Sequence, residues 1–141
     1  MKTKAVRIYG KNDLRLEEFE LPKINDDEML AKVISDSLCM SSYKAAIQGP
    51  DHKRVPDNVH ENPTIIGHEF CGEIVEVGKD LQHLAKPGDK FTVQPAMFYK
   101  GSLDSPGYSY PYYGGDATYI ILPREVFLAL LIAIFFSSAS V

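Results

Sequence analysis

Apolar residues in this chain come in short runs, each closed by glycine, proline, asparagine or aspartate, and ten glycines and nine prolines spread those breaks over the whole length. Such punctuation leaves no room for long helices of 3.6-residue period and demands short strands joined by turns. Ala5 to Tyr9 reads as a strand followed by the polar break Gly10-Lys11-Asn12-Asp13. Leu14 and Leu16 then alternate with Arg15 and Glu17, and Phe19 and Leu21 resume one residue out of phase, which predicts two antiparallel strands with a β-bulge near Glu17 and Glu18. A third strand is expected from Glu28 to Ser35, with Met29, Ala31 and Val33 on one face.

At Cys39 the pattern changes. Ser41 or Ser42 is placed to cap a short helix through Tyr43, Ala45, Ala46 and Ile47, which Gly49 and Pro50 would end. Residues 51–63 read as a surface loop, Cys71 to Val77 as a strand, and Lys86-Pro87-Gly88-Asp89 as a turn into Phe91, Thr92 and Val93. The stretch from Pro95 to Asp116 carries five of the eight tyrosines and reads as a long structured loop before a last strand, Ala117 to Leu122. The predicted fold is therefore mainly β, a small barrel or sandwich with minor helix.

At 141 residues the chain has room for one domain with a core. Its 45% hydrophobic and 24% charged composition is that of a folded soluble protein, and a net charge of -4 offers nothing to nucleic acid or to an anionic membrane. Two cysteines cannot make a disulfide scaffold, and no leader segment opens the chain, so a cytoplasmic protein is expected. The apolar run from Val126 to Phe136 falls short of the roughly 20 residues a spanning helix needs. No glycine-rich phosphate loop and no internal repeat is present.

The chemistry concentrates in Ile66-Gly67-His68-Glu69-Phe70-Cys71-Gly72-Glu73-Ile74-Val75-Glu76-Val77-Gly78. A Gly-His-Glu triplet leading into a strand puts an imidazole and a carboxylate at a bend, and Cys39 supplies a thiolate at another. Sulfur, nitrogen and oxygen donors of this kind suit a catalytic zinc, which keeps one position open. On the residues alone a hydrogen-bonded structural histidine is the favoured role for His68 over that of a ligand. Cys71 reads as a packed free thiol, His52, His60 and His83 as solvated, and Tyr108, Tyr110, Tyr112 and Tyr113 as loop packing or as the lining of a substrate pocket.

The stretch resembles the signature of the zinc-containing medium-chain alcohol and polyol dehydrogenases, G-H-E-x2-G-x5-[GA]-x2-[IVSAC], through Gly67, His68, Glu69, Gly72 and Gly78, with Leu81 departing at the last position. The opening KAVRIYGKNDLRLEEFELP, the KPGDKF turn and the late GGDATYIILP fall in the order of that family's N-terminal catalytic domain, so the resemblance covers residues 1 to about 125. It implies a GroES-like, partly open β-barrel with one or two short helices. It also implies Zn²⁺ held by Cys39 and His68, with Glu69 a ligand of the resting metal or a carboxylate beside it, and Ser41 as the hydroxyl that takes the substrate alcohol's proton.

By the same resemblance, the Rossmann domain that binds NAD(H) or NADP(H), and the remaining zinc ligand, would lie beyond position 141. Where the family usually has Cys-Gly-[Ser/Thr]-Asp, this chain has Cys39-Met40-Ser41-Ser42, its usual relay histidine is Lys44, and four lobe cysteines are missing. The implied function is a zinc-dependent NAD(P) oxidoreductase acting on an alcohol, a polyol or, through Lys44, Lys53 and Arg54, a sugar phosphate. The alternative is a non-enzymatic binding or remnant domain that keeps only the fold. Residues 126–141 abandon alternation and charge, which reads as a truncation or frameshift; an apolar tail of this kind would need cover, from the domain or from a second copy in a homo-oligomer.

Overall fold

The computed structural model of the chain describes residues 1–93, 97 and 103–126. Strands β1 (Lys2–Gly10) and β2 (Asp13–Glu20) form a hairpin, followed by β3 (Glu28–Asp36), helix α1 (Met40–Gln48), β4 (Thr64–Ile65), β5 (Phe70–Val77), β6 (Lys90–Thr92) and β7 (Tyr119–Pro123). They build two open sheets, ordered β2-β1-β4 and β6-β5-β3-β7. All paired strands run antiparallel, and an isolated bridge between Ala5 and Ala117 ties β1 to the segment before β7. The mainly β, partly open architecture with short helices is the one the turn-rich sequence calls for. Short 3₁₀ turns at Gly49–Asp51 and Lys79–Leu81 complete it.

The expected face of β3 is the core face. Met29 and Ala31 are fully buried, and Val33 packs beside them against Phe70, Ile74, Leu81, Ile120 and Leu122. Full burial of side chains of this size contributes about 1.5–3 kcal/mol each, so this cluster is what holds β3 and β5 rigid beneath the site. Leu81, the position that departs from the family signature, sits at the centre of the cluster with no exposure. The opposite face of β3 uses Leu30 to pack on Leu21 and Ile121.

Two local expectations are corrected. The bulge is not at Glu17 and Glu18, where the pairing runs unbroken from Lys2↔Glu20 to Ile8↔Leu14; the register shifts instead at Tyr9, between Ile8 and Gly10. The phase change in β2 has another cause. β2 is an edge strand partly covered on one face only: Glu17 and Phe19 turn toward Arg7, while Leu14 and Leu16 lie on the exposed face. The helix cap is neither serine but Cys39, in extended conformation, whose sulfur accepts from the backbone N–H of Ser41 at 3.5 Å. Gly49 closes the helix at φ 56°, as the sequence requires.

The loop over 51–63 is not merely solvated. Val55 and Val59 are buried in a second cluster with Ile8, Ala45, Ile66 and Tyr108, which clamps the loop to α1 and to β1. No helix among the described residues is long and apolar enough to cross a membrane. The apolar tail, Val126 apart, lies outside the described residues, as does Tyr99.

Candidate metal centre

β3 and β5 end side by side, Asp36 pairing with Phe70, and the chain leaves β3 through Ser37 and Leu38 to reach Cys39 at the start of α1. The turn before β5 carries Gly67, His68 and Glu69. Gly67 takes φ 92°, and a side chain there would meet the backbone nitrogen of Asp116 at 2.6 Å, so glycine is required for the bend that swings His68 toward Cys39. The ligand atoms of Cys39, His68 and Glu69 all lie within 4.8 Å of one another. Donors on a tetrahedral zinc lie about 3.5 Å apart, so small rotations close the remaining gap, and the sulfur, nitrogen and oxygen donors fit that ion.

Each donor is held by a neighbour. Cys39 caps the helix N-terminus, its sulfur accepting from the Ser41 backbone N–H at 3.5 Å. His68 is 5% exposed, with Nε2 3.7 Å from Glu69 Oε1 and Nδ1 3.3 Å from the Ser42 hydroxyl. A proton on Nδ1 directed at Ser42 leaves the Nε2 lone pair free for a metal. Burial lowers the basicity of His68, with Glu69 opposing and Arg54 adding to the effect, which favours the neutral ring that a metal needs. Glu69 receives a 2.6 Å hydrogen bond from the Ser37 hydroxyl.

Behind this group lie two carboxyls. Asp36 is pushed up to about 6, first by burial and then by the adjacent Asp116, while N–H groups of Ser37 and Glu69 act in the opposite direction. Asp36 Oδ1 accepts from Ser37 N–H at 2.7 Å, but the buried Oδ2 has no donor in reach other than a proton shared with Asp116. A proton on Asp36 directed at Asp116 would satisfy that oxygen and tie the end of β3 to the segment before β7.

Tyr108, read from the sequence as loop packing or pocket lining, packs against His68, a contact the sequence did not show. It is 2% exposed, its ring lies 5.1 Å from the His68 ring, and its hydroxyl is hydrogen-bonded to the Ser41 side chain. His52 stacks on it at 5.5 Å and 6°, and the Arg54 guanidinium lies 5.3 Å from its centre. His52 is therefore not solvated: burial, followed by Arg54, Lys53 and Lys44, lowers its basicity. His60, beside Glu61, is exposed, and so is His83. Tyr110 and Tyr113 line a separate cleft of about 250 Å³ with Arg7 and Phe19, away from Cys39. Cys71 is half-buried on the outer face of β5 and is not part of the cluster.

An open pocket of about 360 Å³ adjoins Cys39, lined among others by Leu14, Leu38, Met40, Ser42 and Tyr43. The site thus has the donor group, buried at His68 and open at Glu69, on one side and a largely apolar hollow on the other, an arrangement that can seat a small molecule against a metal.

Known proteins share this fold. The family described as "Alcohol dehydrogenase GroES-like domain" matches residues 25–131. The chain is 56% identical over 124 residues to L-sorbose 1-phosphate reductase of Klebsiella pneumoniae, covering 88% of this chain and 30% of that protein. It is 52% identical over 122 residues to mannitol-1-phosphate 5-dehydrogenase of Aliivibrio fischeri, covering 86% and 29% respectively. Among solved structures it superposes on 2R,3R-butanediol dehydrogenase from Bacillus subtilis with a TM-score of 0.67 at 30% identity, over 88% of this chain and 39% of that one. The chain thus spans about a third of the length of the curated relatives it matches. With fold, signature and family match in agreement, the chain belongs to the alcohol dehydrogenase GroES-like domain family.

Proposed function

We propose that this chain is the metal-holding part of a zinc-dependent NAD(P) oxidoreductase acting on polyols or sugar phosphates. The observation that carries the reading is the convergence of Cys39, His68 and Glu69, from two separate bends, to within 4.8 Å. A zinc bound there would act as a Lewis acid toward a substrate oxygen and make an alcohol more acidic. Cys39 and His68 hold that ion, and Glu69, steadied by Ser37, is a ligand or a carboxylate beside it. Ser41, two residues from Cys39 and bonded to Tyr108, is placed to accept the proton an alcohol releases.

The names of the relatives at 56% and 52% identity, a sugar-phosphate reductase and a sugar-alcohol-phosphate dehydrogenase, support that substrate class. Hydride transfer requires a nicotinamide held against the substrate carbon, and these residues offer no glycine fingerprint for a dinucleotide. The test is an assay with NADH and NADPH of this chain beside a form continued in frame through a nicotinamide-binding domain, using sorbitol and sorbitol 6-phosphate. Turnover by the continued form alone supports the reading; turnover by neither, with zinc present, overturns it in favour of a domain that keeps only the fold.

A further inference from the structure

The two arginines at the start of the chain are neutralised: Arg7 pairs with Glu17 at 3.2 Å and Arg15 with Asp13 at 2.8 Å. Arg54 differs. Among the described residues no carboxylate pairs with it, although it is half-buried and its guanidinium lies over the Tyr108 ring at 5.3 Å. Lys44 and Lys53 are likewise without an acidic partner among the described residues, and both, with Arg54, bear on His52. The field over the loop at 52–54 is therefore positive and uncompensated, and the ring beneath Arg54 is the one that lies 5.1 Å from His68.

An unpaired arginine resting on an aromatic face is oriented in advance. Contact with the ring limits the rotamer freedom lost on binding, while the guanidinium's N–H fork, with no carboxylate on it among the described residues, is open to a bidentate acceptor. Phosphate oxygens match that fork, and Lys44 and Lys53 add point charges around it. Tyr108 links the two ends of the arrangement, touching His68 and Ser41 at one end and Arg54 at the other.

We infer that Arg54, laid on Tyr108, is the residue that reads the phosphate of a phosphorylated polyol bound at the Cys39–His68–Glu69 site, and so selects such substrates over neutral polyols. The choice of a polyol as the carrier of the phosphate rests on the dehydrogenase reading above. Arg54 is a specificity residue: it touches the phosphate and takes no part in moving the proton or the hydride.

The experiment uses the full 141-residue chain without metal, so that failure here leaves zinc binding, measured separately, to decide the dehydrogenase reading. The arginine Nε–Hε signals are followed by two-dimensional NMR during titration with sorbitol 6-phosphate, sorbitol, inorganic phosphate and ADP. The Arg54 signal is expected to move with sorbitol 6-phosphate and with inorganic phosphate, and to stay in place with sorbitol. Arg54→Gln should weaken sorbitol 6-phosphate binding by about tenfold or more, and Arg54→Lys, which keeps the charge but not the fork, should restore part of it. An unchanged amide spectrum certifies the fold of both variants. The inference is overturned if Arg54→Gln binds as the parent does, if sorbitol binds as well as its phosphate, or if only ADP moves the Arg54 signal, which would assign the cation to a dinucleotide.

Discussion

The Ser42 hydroxyl lies 3.3 Å from Nδ1 of His68, at the position where the family pattern has an aspartate. A neutral acceptor therefore stands behind the metal-facing imidazole in place of a carboxylate, orienting the ring with less enhancement of its basicity. Ser42→Ala should lower zinc affinity by about ten- to a hundredfold, and Ser42→Asp should raise it above the parent. Titration against a chromophoric chelator reads both; equal affinity in all three proteins would show that the contact does not orient His68.

Gly67→Ala tests the bend. The position combines φ 92° with contact to the Asp116 backbone, so a methyl group there forces the turn to move. The strain should cost about 1–3 kcal/mol before any clash is counted, and the displaced His68 should lose zinc. Urea denaturation with parallel metal analysis checks both losses; a variant as stable as the parent contradicts the assigned geometry.

The paired carboxyls give a pH signature. Asp36 is held at about 6, above the ordinary aspartate value, so its contribution to stability is fully present below that ordinary value and is lost as pH rises through about 6. His52 and His68, both lowered, contribute stability that is present above the ordinary histidine value and is lost as pH falls, and this part cancels between parent and variant. Asp116→Asn removes the repulsion that appears when both carboxyls ionise. It should exceed the parent in stability by about 1 kcal/mol near pH 7.5, after allowance for solvent screening, with the gap closing or reversing near pH 5. A gap independent of pH would mean that the two groups do not share a proton.

What was legible in the sequence follows from range. The strands, the turn at Gly88 and the core face of β3 are set by neighbours a few residues apart, and the alternation of Met29, Ala31 and Val33 displays it directly. β2 misled because Leu14 and Leu16 lie on its exposed face and Phe19 on its covered one, so the apolar alternation changes phase without a bulge. The capping serines misled because the sulfur of Cys39 already occupies the position that a serine hydroxyl would fill. His68 and Glu69 stand out through the Gly-His-Glu signature and Cys39 through the break after β3, and the fold brings the three within 4.8 Å. Tyr108 with His52, Arg54 and Ser41 left no trace in any local pattern. Those contacts join residues more than fifty positions apart, and the buried Val55 and Val59 that bring the loop inward look like ordinary loop residues.

Tyr108→Phe separates the ring from its hydroxyl. The stack on His52 and the contact with His68 should survive, while loss of the bond to Ser41 costs about 1 kcal/mol. Thermal unfolding should show that modest decrease with zinc content unchanged; loss of the metal would mean that the hydroxyl, not the ring, positions the site.

The central claim is that Cys39, His68 and Glu69 form a zinc site, and elemental analysis of the chain purified without chelator tests it most directly. The account expects zinc to co-purify with or to load the parent protein at a defined stoichiometry, and Cys39→Ser and His68→Ala to fall to background while keeping the parent's amide spectrum. Zinc at background in the parent even after loading, or zinc retained undiminished in both variants, would contradict it.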